Sequence, residues 1–136
     1  MNQFFNPTPV LIAQLAVSAF FSILFIQSGL DKLINFRENL SWLMGHFSKT
    51  VLKGLVPVML ILVTCSETLA GFISLYGVLQ LILHENTVFS LMGCYLGTLS
   101  FLFLFFGQRI AKDYAGAGSL VPYFLTAIVS ILLLSI

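Results

Sequence analysis

The stretch at residues 56–83 reads VPVMLILVTCSETLAGFISLYGVLQLIL, and it decides the class of fold. It is longer than the roughly 20 apolar residues that a helix needs to cross a bilayer, and its single charged side chain is Glu67. Its apolar and polar residues do not alternate, as they would in a strand of a membrane barrel. Inside lipid, only a helix satisfies the backbone groups of such a segment by itself. Residues 56–83 therefore predict a membrane-spanning helix.

Three other segments are similar to this one in length and apolar content. They cover residues 9–30, 87–106 and 119–136. Pro9 and Pro122 stand where the first turn of a helix tolerates a missing backbone N–H, and Ser119 is expected to cap the last helix. We therefore predict an all-α, polytopic membrane protein, in which four transmembrane helices form a compact bundle and residues 1–136 make a single domain.

The composition supports a membrane protein and excludes other classes. Hydrophobic residues make up 59% of the 136-residue chain and charged residues 8%, whereas about a quarter of the residues are charged in a soluble domain. These charges are too few to cover a soluble monomer. A net charge of +1 provides no basic surface for nucleic acid. The two cysteines, Cys65 and Cys94, are expected to be small buried hydrophobes and not a metal or disulfide pair.

The stretch at residues 31–54, between the first two spans, has an amphipathic pattern. Its apolar residues at helical spacing are Leu40, Leu43, Met44, Phe47 and Val51. A helix of this kind lies in the membrane interface, where Trp42, the only tryptophan, would be an anchor. We expect an interfacial amphipathic helix between helices one and two, and a structured loop is the alternative.

All six basic residues lie in two of the connections between spans. They are Lys32, Arg37, Lys49 and Lys53 in the first connection, and Arg109 and Lys112 in the third. Connections that are rich in lysine and arginine stay in the cytoplasm. Because two spans separate these connections, they share one side of the membrane. The sequence therefore predicts both basic connections in the cytoplasm and both termini outside.

Small and polar residues recur at near-helical spacing in every span. They are Gln14, Ser18, Ser22 and Gly29; Thr64, Glu67, Thr68, Gly71 and Ser74; Ser90, Gly93, Gly97, Ser100 and Gly107; and Thr126 and Ser130. Such residues mark the faces along which helices approach closely in lipid. Gly93 and Gly97 form a G-x-x-x-G step, which also arises by chance in apolar runs. The agreement of four helices is the stronger evidence.

Glu67 is the one acidic residue inside a predicted span. It lies roughly 17 Å into the second helix, where a charged group costs at least about 3 kcal/mol and therefore faces protein or water. Thr64 and Thr68 share its helix face. Polar candidates for a partner on the first helix are Gln14, Gln27 and Lys32. Two roles stay open for Glu67: part of a ligand or proton site, or a hydrogen-bonded contact between helices.

A second polar cluster is expected on the cytoplasmic side. Arg109, Lys112 and Asp113 lie between the last two spans, and Asp31 lies at the end of the first. The two cations would pair with these acids or bind anionic lipid headgroups. The AGAG at residues 115–118 predicts a tight turn. No pattern for a catalytic nucleophile, a nucleotide loop or a metal site is recognised, so no catalytic residue is assigned.

Several short motifs resemble those of the DoxX-like family of small four-helix membrane proteins. SGLDKL at residues 28–33 resembles its first-helix signature, and Glu67 with Gly71 resembles the E-x-x-x-G pattern of its second helix. Residues 107–116 contain GQR and KDYAG, which are similar to the polar connection before its last helix. The positions that match a family site, if there is one, are Lys32, Glu67, Arg109 and Asp113.

The resemblance implies a limited set of functions, because a few DoxX-like proteins accompany quinone-linked oxidoreductases and most have no assigned activity. The first hypothesis is a non-catalytic accessory subunit of a larger inner-membrane complex, such as a quinone-linked respiratory one. Its partners would be the lipid bilayer and other membrane subunits, and it needs no cofactor of its own. The alternative is a membrane-embedded protein that binds a quinone or small ligand through Glu67 and Lys32. A further alternative is a proton-coupled carrier. All three place the chain in the bacterial cytoplasmic (inner) membrane.

Overall fold

The fold is described by a computed structural model that covers residues 8–136, all of it helix, turn or short connection. Over this range the α-helices are α1 (Pro9–Ile34), α2 (Phe36–His46), α3 (Val56–His84), α4 (Val88–Ile110), α5 (Tyr114–Ser119) and α6 (Val121–Leu134). A 3-10 turn at Lys53–Leu55 leads into α3. Four helical segments are long and apolar enough to cross a membrane, and α5 with α6 makes the fourth. The predicted all-α class is confirmed for the described residues.

Local signals determine where the first two long helices begin and end. Thr8 caps α1, since its Oγ1 accepts a hydrogen bond from the backbone N–H of Leu11 at 3.2 Å, and Pro9 occupies the first turn as predicted. α1 continues four residues beyond the predicted end of the first span, to Ile34. α3 ends where Glu85 adopts a φ of 52°, the left-handed conformation that commonly terminates a helix.

The beginning of the last span differs from the prediction. Ser119 does not cap it. Asp113 caps α5 instead, because its Oδ1 accepts a hydrogen bond from the backbone N–H of Gly116 at 2.9 Å. Residues 115–118 therefore belong to a helix and not to the predicted tight turn. Glycine lowers helix propensity by about 1 kcal/mol, and a capping carboxylate offsets a similar amount.

The small-residue faces form the packed interior, as predicted. All of the predicted positions are buried except Thr68 and Thr126, which are half-buried. α3 packs along α1 and α4, and α6 packs mainly against α4. At Gly71 an added Cβ would lie 2.9 Å from the backbone carbonyl carbon of Phe25, which is too close for any side chain. Glycine at this position therefore sets the distance between α1 and α3.

A cluster of aromatic and small apolar side chains fills the centre of the bundle. Its buried members are Phe21, Phe25, Ala70, Cys94, Phe101, Ala127 and Leu134. Cys94 is thus buried as expected, but the same prediction for Cys65 is wrong, because Cys65 is exposed. Cys65 lies two residues from both Val63 and Glu67, which are buried, and two residues correspond to about 200° around a helix. Both cysteines are free.

α2 confirms a helix within residues 31–54, although the helix is shorter than that stretch. Leu40 and Leu43 pack with Phe47 in a small apolar cluster between α2, α3 and α4. Met44 and Val51, predicted on the same face, are exposed, Val51 to 87%. The helix ends before Phe47, so Val51 no longer follows helical spacing and turns away from the cluster.

Candidate functional site

Glu67 lies in the packed interior and is paired with Lys32. The Nζ of Lys32 donates a hydrogen bond to Oε2 of Glu67 at 3.0 Å, which forms an ion pair between α1 and α3. The glutamate side chain is 2% exposed and the lysine side chain 20%. The lysine reaches this position because α1 stays helical to Ile34. Of the three candidate partners on the first helix, the structure selects Lys32.

The two threonines that share the helix face of Glu67 do not bond its carboxylate. The Oγ1 of Thr64 donates to the carbonyl oxygen of Leu60 at 2.6 Å. The Oγ1 of Thr68 is buried with no hydrogen-bond partner among the described residues, and Thr68 packs against Gly29 of α1. One threonine hydroxyl therefore bonds its own helix, and the other lies in the α1–α3 contact.

The two glutamines of α1 lie apart from the ion pair. The Nε2 of Gln14 donates to the carbonyl oxygen of Leu133 at 3.1 Å and connects α1 to the end of α6. Gln14 lies 18 residues from the lysine, or about 27 Å along the helix. Gln27 is exposed, so this candidate is not the partner of Glu67. It lies two residues from both Phe25 and Gly29, which are buried, and therefore faces outward.

A cavity of about 240 Å³ lies beside the ion pair and beneath α2. Its lining residues are Lys32, Asn39, Trp42, Leu43, Phe47, Val56, Met59, Leu60, Val63, Phe103, Leu104, Gly107 and Gln108. The walls are mostly apolar and come from α2, α3 and α4, while α1 contributes Lys32 alone. The side chain that holds Glu67 is thus also a wall of this cavity.

Polar contacts hold the end of α2 over the cavity. The Nε2 of His46 lies 3.3 Å from Oε1 of Gln108 and 3.7 Å from Oδ2 of Asp113. The imidazole ring also stacks on the indole of Trp42, with 4.6 Å between the ring centroids. Gln108 and Trp42 both line the cavity. These contacts therefore fix α2, which covers the cavity, to α4 and to the α4–α5 connection.

The predicted cytoplasmic cluster divides into separate contacts. The Oδ1 of Asp31 accepts a hydrogen bond from Nδ2 of Asn35 at 2.9 Å. The guanidinium carbon of Arg109 lies 4.6 Å from the ring centroid of Tyr114. Within residues 8–136 neither Arg109 nor Lys112 forms an ion pair. Of the two alternatives for these cations, pairing with acids is not found among residues 8–136: Arg109 lies against an aromatic ring, and Lys112 forms no ion pair there.

The arrangement provides a polar group at the edge of an apolar space. An ammonium has three N–H donors, and Glu67 uses one of the three on Lys32, which leaves donors for a further acceptor. Asn39, Gln108 and the position of Trp42 on the cavity were not predictable from the sequence pattern. The helical pattern of residues 40–47 predicted that α2 exists, but it carried no signal for the helices that α2 covers.

The fold and the site define a class: a helical, membrane-capable protein with a buried ion pair at the wall of an apolar cavity. No family model, curated protein or solved structure matches this chain. The resemblance to DoxX-like proteins therefore stays a prediction.

Proposed function

We propose that this chain is a multi-pass protein of the bacterial cytoplasmic membrane that binds the headgroup of a quinone or a similar amphiphile. The binding place is the cavity beneath α2. One observation carries the proposal: Lys32 lines an apolar cavity, and its ammonium is held at 3.0 Å by a carboxylate that is itself buried. An ammonium fixed in this way is a donor for a ligand carbonyl oxygen.

The size of the cavity supports a headgroup and not a whole ligand. Pockets for complete drug-sized ligands span about 300–1,000 Å³, and this cavity measures about 240 Å³. A single ring fits such a volume, and an isoprenoid tail would then continue into the surrounding lipid. The apolar walls, with few polar groups at one side, agree with the usual composition of small-molecule sites.

Tryptophan fluorescence tests this proposal directly, because Trp42 is the only tryptophan and lines the cavity. A short-chain ubiquinone titrated into the purified protein should quench its emission saturably. Lys32→Met should weaken the apparent Kd about tenfold, the effect of losing one hydrogen bond to a charged group. Lys53→Met is the matched control, since Lys53 is exposed in the turn before α3, and it should leave the Kd unchanged.

A second variant separates the cavity from the ion pair. Val63→Phe adds volume to the cavity wall without removing a charge, so it should abolish saturable quenching in a protein that still folds. Two results would overturn the proposal: quenching of the unmodified protein that never saturates, or equal Kd values for Lys32→Met, Lys53→Met and the unmodified protein.

The accessory-subunit hypothesis is the second candidate, and the outer face of α2 favours it. Trp42 is 61% exposed and Met44 47%, although both belong to a helix that covers the cavity. A partner subunit would bury them. Purification in a mild detergent at native expression should then yield a complex, and a lone monomer would count against this candidate. Proton-coupled transport is tested separately, by proton or solute flux into reconstituted vesicles.

The orientation and family are part of the same proposal. Both basic connections would face the cytoplasm and both termini the outside, because all six basic residues lie in those connections or at their edges. Membership of the DoxX-like family is supported by two of its motif positions, Lys32 and Glu67, which form the ion pair.

A further inference from the structure

A second recess lies at the end of α2 and shares no lining residue with the cavity. It measures about 690 Å³, and its walls are the segment 45–51, which begins in the last turn of α2, and the segment 110–112 at the end of α4. Both walls belong to the two connections that carry the basic residues. This recess takes no part in the quinone proposal.

Two lysines from different connections line this recess. Lys49 lines it from one wall and Lys112 from the other, and His46 of α2 lines it as well. No acidic side chain is among the lining residues, and within the described range neither lysine forms an ion pair. Like charges that share a recess repel each other, and a bound anion would relieve that repulsion.

The backbone conformation of Lys112 supports a functional role for this lysine. Its φ is 59°, in the left-handed region where a residue other than glycine is strained. The backbone N–H of Asp113 donates to the carbonyl oxygen of Gln108 at 2.9 Å, which is the hydrogen bond of a helix C-terminus that usually has glycine here. A lysine therefore occupies the position at which glycine would be least strained.

We infer that this recess binds the phosphate group of an anionic phospholipid. The charge of the two lysines matches a phosphate, and the exposed hydroxyl of Ser48 adds a donor. Apolar side chains flank the same recess: Val51 is 87% exposed and Ile110 lies on the opposite wall. Phosphate beside exposed aliphatic surface is the chemistry of a lipid headgroup region, whereas a free phosphate ion would have no use for that surface.

The amount of lipid that stays bound to the purified protein tests this inference. Purified protein is exchanged into a neutral detergent with equal amounts of phosphatidylglycerol and phosphatidylcholine, and bound lipid is counted by native mass spectrometry. We expect the unmodified protein to retain phosphatidylglycerol. The double variant Lys49→Gln/Lys112→Gln should weaken that retention roughly 25-fold, since each lysine near an anionic surface contributes about 1 kcal/mol.

The matched control removes the same charge elsewhere on that side of the protein. Arg37→Gln/Lys53→Gln changes two exposed basic residues outside the recess and should retain phosphatidylglycerol within twofold of the unmodified protein. Equal losses in the two double variants would mean diffuse attraction and would overturn the inference, as would retention by Lys49→Gln/Lys112→Gln. Displacement of the lipid by millimolar inorganic phosphate would assign the recess to free phosphate and overturn the lipid proposal.

Each single variant is measured beside the double one, so a folding defect in one does not decide the result. Because Lys49 and Lys112 are exposed and repel each other, thermal unfolding in detergent without lipid should give no variant a lower Tm than the unmodified protein. Lipid that raises the Tm of the unmodified protein but not of the Lys49→Gln/Lys112→Gln protein would support the inference. A Tm rise that is equal in both would contradict it.

Discussion

At the scale of single residues, the Lys32–Glu67 pair joins stability to the proposed site. Its two members differ in exposure, 20% for the lysine and 2% for the glutamate side chain. A long lysine side chain near a helix end can turn its ammonium toward the membrane surface, but a glutamate near the middle of α3 cannot leave the bundle. Removal of the lysine ammonium therefore leaves a buried carboxylate without a partner. Removal of the carboxylate leaves an ammonium that can still turn toward the membrane surface.

This asymmetry predicts that substitutions of the two residues lower the free energy of unfolding by unequal amounts. Lys32→Met should lower the free energy of unfolding by about 3 kcal/mol, the effect of breaking a buried ion pair from one side. Glu67→Gln, which keeps an oxygen acceptor for the lysine, should cost about 1 kcal/mol. Unfolding in mixed detergent–SDS micelles measures both values. A larger cost for Glu67→Gln than for Lys32→Met would contradict this account of the pair.

This residue pair was predictable from the sequence only in part. Glu67 was identifiable because an acid in an apolar run needs a partner, and Lys32 was one of three candidates. The choice depended on helical phase and length: α1 reaches Ile34, and Gln27 points outward. The conformation of a side chain and the exact end of a helix both depend on tertiary packing, which local sequence does not encode.

At the scale of helices, glycines determine how closely α1 and α3 approach. The Cβ of an alanine at position 71 would fall 2.9 Å from the backbone of Phe25, and backbone atoms in a packed helix cannot shift cheaply. Gly45 in α2 differs, because nothing lies within 4 Å of its added Cβ. Gly71 is therefore required by close helix packing, whereas at Gly45 only the helix propensity of the residue matters.

Alanine substitutions at these two glycines should change the free energy of unfolding differently. Gly71→Ala should destabilise the protein by about 1–3 kcal/mol, as overpacking does, and Gly45→Ala should be neutral or stabilise it by up to about 1 kcal/mol through better helix propensity. The same SDS unfolding assay compares them. Equal effects of the two substitutions would show that close contact at Gly71 is not what holds α1 against α3.

Helix faces were more predictable than helix ends or the position of α2. Rows of glycine and serine identify packed faces because lipid provides no hydrophobic force between helices, and those rows are buried. The capping bond of Asp113 was missed because the following glycines favour a turn. The cover of the cavity was missed because it comes from contacts between His46 and Gln108, 62 residues apart along the chain.

At the scale of the whole molecule, the two ends of the bundle differ in their content of basic residues. The basic residues, the helix that covers the cavity and the recess lined by Lys49 and Lys112 all lie at one end. They belong to the connections between α1 and α3 and between α4 and α5, or to the helix ends beside them. The connection between α3 and α4 contains no lysine or arginine. If the four apolar segments cross a bilayer, one leaflet meets every cation and every proposed binding place.

Cysteine accessibility in cells tests this central claim most directly. With Cys65 and Cys94 replaced by alanine, single reporters are Ser48→Cys and Ala115→Cys at the basic end, and His84→Cys and Ser135→Cys at the other. A membrane-impermeant maleimide should label His84→Cys and Ser135→Cys in intact cells, and the first two only after permeabilisation. Labelling of Ser48→Cys and His84→Cys from the same side would contradict the account.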